Sequence, residues 1–267
     1  MSKQPIVLRQ SLIKALDEEK KPCHAKAKAI YIDGMPSLPS KAMQRGLFFE
    51  TLVYGMTNQG EVVEMDRNAN GAKSEAQQRV EYHAYRVKGP LRQEFQMNYI
   101  RPREVIEVQL NNPRYTFRAS FDMVSSMRIQ TGEVVDEAII DWKITESILS
   151  NFGDFAWGTP HTMDHIQAQA YSWAYIQKYG KQAPFFYYVM DLSPQKLSKF
   201  VGGYVSKTDM AEFKERLRRT VATIEHNEAR NEWEINPSQD NCRGCPLKST
   251  CEGYKNGADI QIIFHGI

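Results

Sequence analysis

The sequence predicts an α/β or α+β core, strands with helices on both sides. Three observations predict it. Helical apolar spacings open the chain, short alternating or β-branched runs fill its middle, and helix, strand and helix alternate after that. The 267 residues are 42% hydrophobic and 25% charged, the balance of an ordinary globular protein. A disordered chain, a collagen and a disulfide miniprotein are thereby excluded. At roughly 100–200 residues per domain, the length suits one large domain with appended segments. Residues 1–40 are expected to hold N-terminal helices, 41–205 the core, and 206–267 a long helix and a cysteine-rich segment.

The elements follow in order. Leu8, Leu12, Ile13 and Leu16 have helical spacing, and Lys20-Lys21-Pro22-Cys23 breaks it. A second helical stretch covers Ala25 to Ile30, and Pro36 and Pro39 mark a loop. Ser40 is a fitting N-cap for a helix through Tyr54, whose apolar residues crowd around Glu50. Gly55 to Gly71 reads as a loop. Val105 to Leu110 alternates, and Tyr115 to Asp122 alternates clearly, with Tyr115, Phe117, Ala119 and Phe121 on one face. Thr131-Gly132 reads as a turn and Glu137 to Thr145 as a central strand. A helix over Met163 to Tyr179, strands over Phe185 to Met190 and Phe200 to Val205, and a charged helix over Lys207 to Trp233 complete the order.

No apolar run approaches the ~20 residues that span a bilayer, and Met1 to Arg9 shows no signal-peptide pattern. A cytoplasmic, reducing setting is expected, in which four cysteines serve as ligands, catalysts or core residues. The net charge of +2 is near neutral, so any basic surface must be local. Residues 67–103 supply one: eight Lys/Arg stand against three acids. Arg79, Arg86, Lys88 and Arg92 are the candidate phosphate contacts, and Tyr82, Tyr85 and Tyr99 lie among them for base stacking. A solvated helix face is the plainer reading of the same residues.

Two constellations carry chemistry. In Asp141-Trp142-Lys143 the first and third side chains share one strand face, while Ile140, Trp142 and Ile144 take the other. Asp141 and Lys143 suit an ion pair. They equally suit divided roles, the carboxylate holding a hard divalent cation and the ammonium steadying phosphate charge. Asp122, at the end of an alternating strand, offers a second carboxylate. Glu50 offers a third, and its apolar helix demands a partner for it, a cation or a structural Arg or Lys. Gln167 and Tyr171 stand at i and i+4 on one helix face.

The other constellation is Cys242-x2-Cys245-x5-Cys251 with Cys23 far upstream. Three close thiols and a distant one form a four-thiolate set, suited to Zn²⁺ or an iron–sulfur cluster. Two close pairs would be the usual zinc-ribbon pattern, and this is a three-plus-one arrangement.

The ordered set Gly46-x3-Glu50, Asp122, Asp141-x-Lys143 and Gln167-x3-Tyr171 resembles the PD-(D/E)XK nuclease superfamily, and more closely its RecB-like exonuclease branch. With the four cysteines bracketing these motifs, it is similar to the iron–sulfur subgroup. That subgroup includes AddB-type recombination nucleases, CRISPR-associated RecB-like nucleases and many phage exonucleases. The likeness runs from Cys23 to Cys251. It implies an α/β, restriction-endonuclease-like core, a mixed central β-sheet flanked by helices, and hydrolysis of single- or double-stranded DNA with Mg²⁺ or Mn²⁺. Glu50, Asp122 and Asp141 would be metal ligands and Lys143 the catalytic lysine. Gln167 and Tyr171 would support the site and contact DNA. Cys23, Cys242, Cys245 and Cys251 would hold a [4Fe–4S] cluster joining the ends of the nuclease domain, with Zn²⁺ as the alternative.

Two positions depart from the pattern. Many RecB-like members carry a metal-binding histidine where Glu50 stands, and Phe121 precedes Asp122 where the superfamily name has proline. No Gly-x4-Gly-Lys-Ser/Thr loop is present, so a helicase or recombination partner would have to supply any motor. Recombination, repair or phage DNA processing is the implied setting, with CRISPR spacer acquisition as an alternative. A non-catalytic DNA-binding or assembly module and a zinc-stabilised RNA-processing enzyme are the readings from other classes.

Overall fold

The computed structural model describes residues 4–17, 21–37, 39–57, 60–65, 67, 70–129, 131–148 and 166–255. Their elements, in chain order, are β1 (Ile6–Leu8), α1 (Gln10–Ala15), α2 (His24–Ala27), α3 (Lys41–Tyr54), α4 (Glu75–Lys88), α5 (Pro90–Glu94), β2 (Asn98–Pro102), β3 (Val105–Gln109), β4 (Tyr115–Ser120), β5 (Met123–Arg128), β6 (Val134–Thr145), α6 (Ile166–Tyr179), β7 (Phe185–Asp191), β8 (Ser198–Gly203), α7 (Lys207–Arg230), α8 (Gln239–Cys242) and α9 (Glu252–Lys255). A π-helical turn, Lys28–Ile32, continues α2. The chain divides into two compact units. One comprises residues Met1–Pro39, Gln109–Phe117 and Glu212–Ile267; the other comprises Ser40–Val108 and Arg118–Ala211. None of the described helices is long and apolar enough to cross a membrane.

The second unit contains a five-stranded mixed sheet in the order β2-β5-β6-β7-β8. β5 lies antiparallel to β6, β6 parallel to β7, and β8 antiparallel to β7. Every residue of β7 is buried, as expected of a central strand covered on both faces. One face of β6 and β7 presents Ile140, Trp142, Phe186, Tyr188 and Met190 to a core that includes Phe48, Phe49, Val80, Ala84 and Val87 of α3 and α4. Ala168, Ala170 and Ala174 of α6 are fully buried. At Gly202 a Cβ would stand 2.0 Å from the Phe185 carbonyl oxygen, so the β7–β8 pairing requires glycine there.

Both long N-terminal helices of this unit start on a serine. Ser40 Oγ accepts from Met43 N at 3.2 Å and Ser74 Oγ from Gln77 N at 3.1 Å. α3 ends at Gly55, whose left-handed φ of 87° closes it.

A polar network ties β2, β6 and α6. Arg101 donates to Glu104 at 2.9 Å, Glu137 at 3.0 Å and Tyr175 at 2.9 Å, and Lys181 pairs with Glu137 at 2.6 Å. Burial pushes the Glu137 carboxyl up. Hydrogen bonds from Lys181, Tyr175 and Arg101 outweigh that push and bring it from 4.5 to about 2. A carboxylate held below its unfolded value stabilises the fold above that value, and the contribution is lost as pH falls through the folded one. Acid unfolding between pH 4.5 and about 2 is therefore expected to be blunted in Glu137→Gln. Chemical denaturation at a series of pH values measures this, and an unchanged acid limb would exclude Glu137 as its source.

In the first unit β1 pairs in parallel with the start of β4, Ile6 opposite Tyr115 and Leu8 opposite Phe117. This pairing draws Leu8 into a strand, so the helix expected from residue 8 begins at Gln10. α7 carries Phe213 against Phe117, with ring centroids 5.5 Å apart, and Glu228 against Arg114 at 2.5 Å. The helix expected through Trp233 ends at Arg230, where Asn231 takes a left-handed φ of 52°.

β2 is a strand that the sequence reading did not include, and further differences concern β5, β8 and one helix. β5 is a strand that the sequence did not suggest. Its run Met-Val-Ser-Ser-Met-Arg lacks alternation because both faces of its first half are buried. β8 begins two residues before the expected strand and ends at Gly203. The expected helix start at Met163 lies outside the described residues; from Ile166 the helix runs as expected.

Candidate active site

β5 and β6 run antiparallel with Met123 opposite Ile140, which sets Asp122 beside the start of Asp141-Trp142-Lys143. The Asp122 carboxylate accepts from the Trp142 backbone N at 2.8 Å. Asp141 is 3% exposed. Its Oδ1 accepts from Gln167 Nε2 of α6 at 2.7 Å, and its Oδ2 pairs with the Lys143 ammonium. The strand alternation thus aims Asp141 and Lys143 together. Lys143 also lies 5.4 Å from the Tyr187 ring centre.

Glu50 comes from α3. It lines a cavity of about 290 Å³ with Asp122, Lys143, Trp142 and Gly46. At Gly46 an added Cβ would meet nothing within 4 Å, so the glycine leaves that wall open. Four of the sequence-marked residues, Glu50, Asp122, Lys143 and Gly46, therefore share one cavity. Asp141 adjoins it through Lys143, and Gln167 through Asp141.

Burial holds the Asp122 carboxyl well above the usual carboxylate range, and the Asp141 and Glu50 charges push it further. Burial raises Asp141 as well, against the pull of Lys143. Neighbouring carboxylates that resist ionising together favour a cation between them. In this arrangement Lys143 serves Asp141, and Arg103 serves Glu50 at 3.6 Å. Among the described residues, no group of three or more His, Cys, Asp or Glu is arranged to hold a metal ion. The donor chemistry, all carboxylate oxygen, nevertheless fits a hard divalent cation.

Sequence reasoning missed Arg103 and Tyr54. Arg103 takes a left-handed φ of 54°, donates its backbone N to Asp122 O at 3.0 Å and stacks over Tyr54 at 5.1 Å. The Tyr54 hydroxyl donates to Asp122 O at 2.7 Å and accepts from Trp142 Nε1 at 2.8 Å. The i, i+4 spacing of Glu50 and Tyr54 was the available signal. Nothing local marks Arg103.

Tyr171 is 7% exposed and packs its ring 5.1 Å from Phe121 and 6.0 Å from Phe185. Enclosed in this way, it supports the sheet face carrying Asp141, and its ring is not presented for base stacking. Gln167 is the more direct support. Gln167→Leu removes the donor to a buried carboxylate, a hydrogen bond of the stronger, charge-assisted class. A fall in kcat of about 10- to 100-fold is expected, with Tm lowered because the buried carboxylate loses its donor. Unchanged turnover would separate Gln167 from the site.

The basic stretch is largely neutralised within the fold. Lys73 pairs with Glu81, Arg79 with Glu75, Arg86 with Glu94, Arg101 with Glu104 and Glu137, and Arg103 with Glu50. Arg79 also donates to Leu192 O and Arg86 to Ser198 Oγ. Of the four phosphate candidates, Lys88 and Arg92 remain exposed.

The four cysteines all belong to the first unit and are half-buried. Cys23 Sγ approaches Glu234 O at 3.9 Å. Lys26 of α2 donates to Arg243 O at 3.0 Å, fastening the Cys242–Cys245 turn to α2 just past Cys23. Burial raises the Cys245 thiol, Lys26 pulls it down, and the nearby Cys23 and Cys242 push it up again. Among the described residues these cysteines are not arranged as a group that would hold a metal ion.

In fold, the chain is similar to a provisionally assigned exonuclease from Eubacterium rectale, at 17% identity and TM-score 0.55, covering 94% of this chain and 87% of that one. An alkaline exonuclease from Laribacter hongkongensis aligns at 13% identity and TM-score 0.42, over 82% of this chain and 88% of that one. The same figures hold for that protein in complex with dAMP. A search of curated proteins finds no match. The family model of the PD-(D/E)XK nuclease superfamily matches residues 22–252, a span that holds every carboxylate of the cavity, Lys143, Gln167 and all four cysteines. By that match over most of its length, the chain belongs to the PD-(D/E)XK nuclease superfamily.

Proposed function

We propose that this protein is a Mg²⁺- or Mn²⁺-dependent deoxyribonuclease that shortens DNA from a strand end. The observation that carries the reading is the meeting of Asp122, Lys143 and Glu50 at one cavity, with Asp141 held beside them by Gln167. Asp122, Asp141 and Glu50 would hold the cation, which when bound lowers the pKa of water and offsets phosphate charge. Lys143 keeps a fixed positive charge at the cavity wall, where it opposes the negative charge of a phosphodiester under attack. Gln167 and the Trp142 backbone N orient the two aspartates, so little reorganisation is needed when substrate enters. Arg103 and Tyr54 hold Glu50 and the Asp122 turn in register.

The preference for strand ends rests on the motif order shared with the RecB-like branch. Recombination, repair or phage DNA processing is the proposed setting, and genome neighbourhood distinguishes it from CRISPR spacer acquisition. Cys23, Cys242, Cys245 and Cys251 would hold a [4Fe–4S] cluster, with Zn²⁺ as the alternative occupant.

The test is a time course on end-labelled single- and double-stranded DNA with Mg²⁺ or Mn²⁺, using anaerobically purified protein. Progressive shortening from one end is expected. Intact DNA after incubation with folded, metal-loaded protein would favour a binding or assembly module, and degradation of RNA alone would favour an RNA-processing enzyme.

A further inference from the structure

The cavity accounts for the acidic residues and for Lys143. It leaves unused an aromatic face on α4. This helix buries Gln77, Val80, His83, Ala84 and Val87. Its opposite side carries Gln78, Tyr82 and Tyr85, spaced i, i+4 and i+7, so the two tyrosines are neighbours on one outward stripe. Tyr85 is 67% exposed and Tyr82 is 37% exposed. Tyr99, the third tyrosine of the segment, behaves differently: its hydroxyl donates to Val87 O at 2.5 Å and its ring lies under Arg92 at 4.7 Å. Packing thus explains Tyr99; Tyr82 meets the His83 ring edge-on at 5.3 Å but keeps an exposed side, and no packing accounts for Tyr85.

Charge around this stripe is unbalanced. The acids of the segment, Glu75, Glu81 and Glu94, are each matched by Arg79, Lys73 and Arg86. Lys88 and Arg92 are exposed, and no carboxylate among the described residues pairs with either. Lys196, from the loop before β8, sets its ammonium 4.8 Å from the Tyr82 ring centre. Two exposed rings with uncompensated Lys88 and Lys196 beside them are what a single nucleic-acid strand requires: π-faces for its bases and positive charge for its phosphates. A protein partner that buried this face would leave those cations desolvated unless it brought acids to meet them.

The face also belongs to the same unit as the cavity. His83 Nε2 meets Asp191 O at 2.8 Å and Arg79 donates to Leu192 O. Asp191 lies two residues beyond Val189, the pairing partner of Lys143, a separation of about 7 Å along the strand. α4 is therefore anchored at the strand ends beside the catalytic lysine.

We infer that Tyr82 and Tyr85, flanked by Lys88 and Lys196, form a stacking platform for single-stranded DNA outside the cleavage cavity. This inference rests on the nuclease reading for the identity of the strand, and its test does not depend on cleavage. Binding of a fluorescent oligo(dT) to the full chain is measured by anisotropy with divalent metal removed. Tyr85→Ala and Tyr82→Ala are each expected to weaken binding about 5- to 150-fold, whereas Tyr85→Phe, which keeps the ring, retains wild-type affinity. Lys88→Ala should lower the slope of log affinity against log salt by about 0.7.

Wild-type affinity in both alanine variants, with their melting unchanged, would overturn the platform and leave the face to a protein partner. So would failure of the wild-type protein to bind oligo(dT). If the wild type binds through the tyrosines but never cleaves DNA with Mg²⁺ or Mn²⁺, the platform stands and the nuclease reading falls.

Discussion

Lys143→Ala is expected to lower the rate of DNA cleavage by about 100- to 1,000-fold, the cost of removing one fixed, preorganised charge from a reacting oxyanion. The ammonium lies on β6 next to Asp141 and against the Tyr187 ring. Its side chain is 29% exposed, so the truncation opens toward the cavity and does not hollow the core. Losing the cation paired with the buried Asp141 should lower Tm, while the variant still binds DNA. Lys143→Arg separates charge from position. A planar guanidinium retains the charge but changes its reach and hydrogen-bond geometry, so partial rescue is expected. Wild-type turnover in Lys143→Ala would remove this cavity as the site of reaction.

The second large effect is on stability. Cys23→Ser should strip iron or zinc from the purified protein and lower Tm by about 10–20 °C, the shift that a loss of about 5 kcal/mol produces in a protein of this size. Serine nearly preserves the volume of cysteine, so packing is not the source. The expected source is loss of the proposed metal bond between distant parts of the chain, since ligand binding to a thiolate site is folding free energy. Cys23 lies at the start of α2, and Cys242, Cys245 and Cys251 lie more than two hundred residues later. The measurement pairs metal analysis with thermal melting. Ultraviolet–visible absorption of the wild type distinguishes a brown iron–sulfur protein from a colourless zinc protein. Unchanged metal content and melting in Cys23→Ser would exclude Cys23 as a ligand.

Particular residues show how far the sequence could be read. Ser40 and Tyr54 bounded α3 because a hydroxyl cap and an apolar run are local signals. Asp141 and Lys143 were placed on one face by strand alternation alone, and the structure sets them in contact. Leu8 was misplaced because its helical spacing is local, while the parallel pairing that holds it depends on Phe117, more than a hundred residues away. β5 went unnoticed because a strand covered on both sides loses the alternation that announces it.

At the site, Glu50, Asp122, Asp141, Lys143 and Gln167 were each marked by residue type, order and spacing. Arg103 was not. Its relation to Glu50 arises from a left-handed turn and the neighbouring Tyr54 ring, neither of which has a signature in the bare sequence. The basic run at 67–103 shows the converse. Its composition suggested a phosphate-binding surface, yet five of its eight cations are spent on carboxylates, some of them from outside the run.

By itself, then, the sequence determined the run of helices and strands around an α/β core, the Ser40 cap, the strand face shared by Asp141 and Lys143, and the motif order that marks the superfamily. Those are properties of neighbours along the chain, governed by periods of 2.0 and 3.6 residues. The tertiary structure alone decided which cations remain uncompensated, that Tyr171 faces the core while Tyr82 and Tyr85 face solvent, and that Arg103 stands at Glu50. Charge pairing and burial act through space, over a few ångströms between residues far apart in the chain, and no linear spacing encodes them.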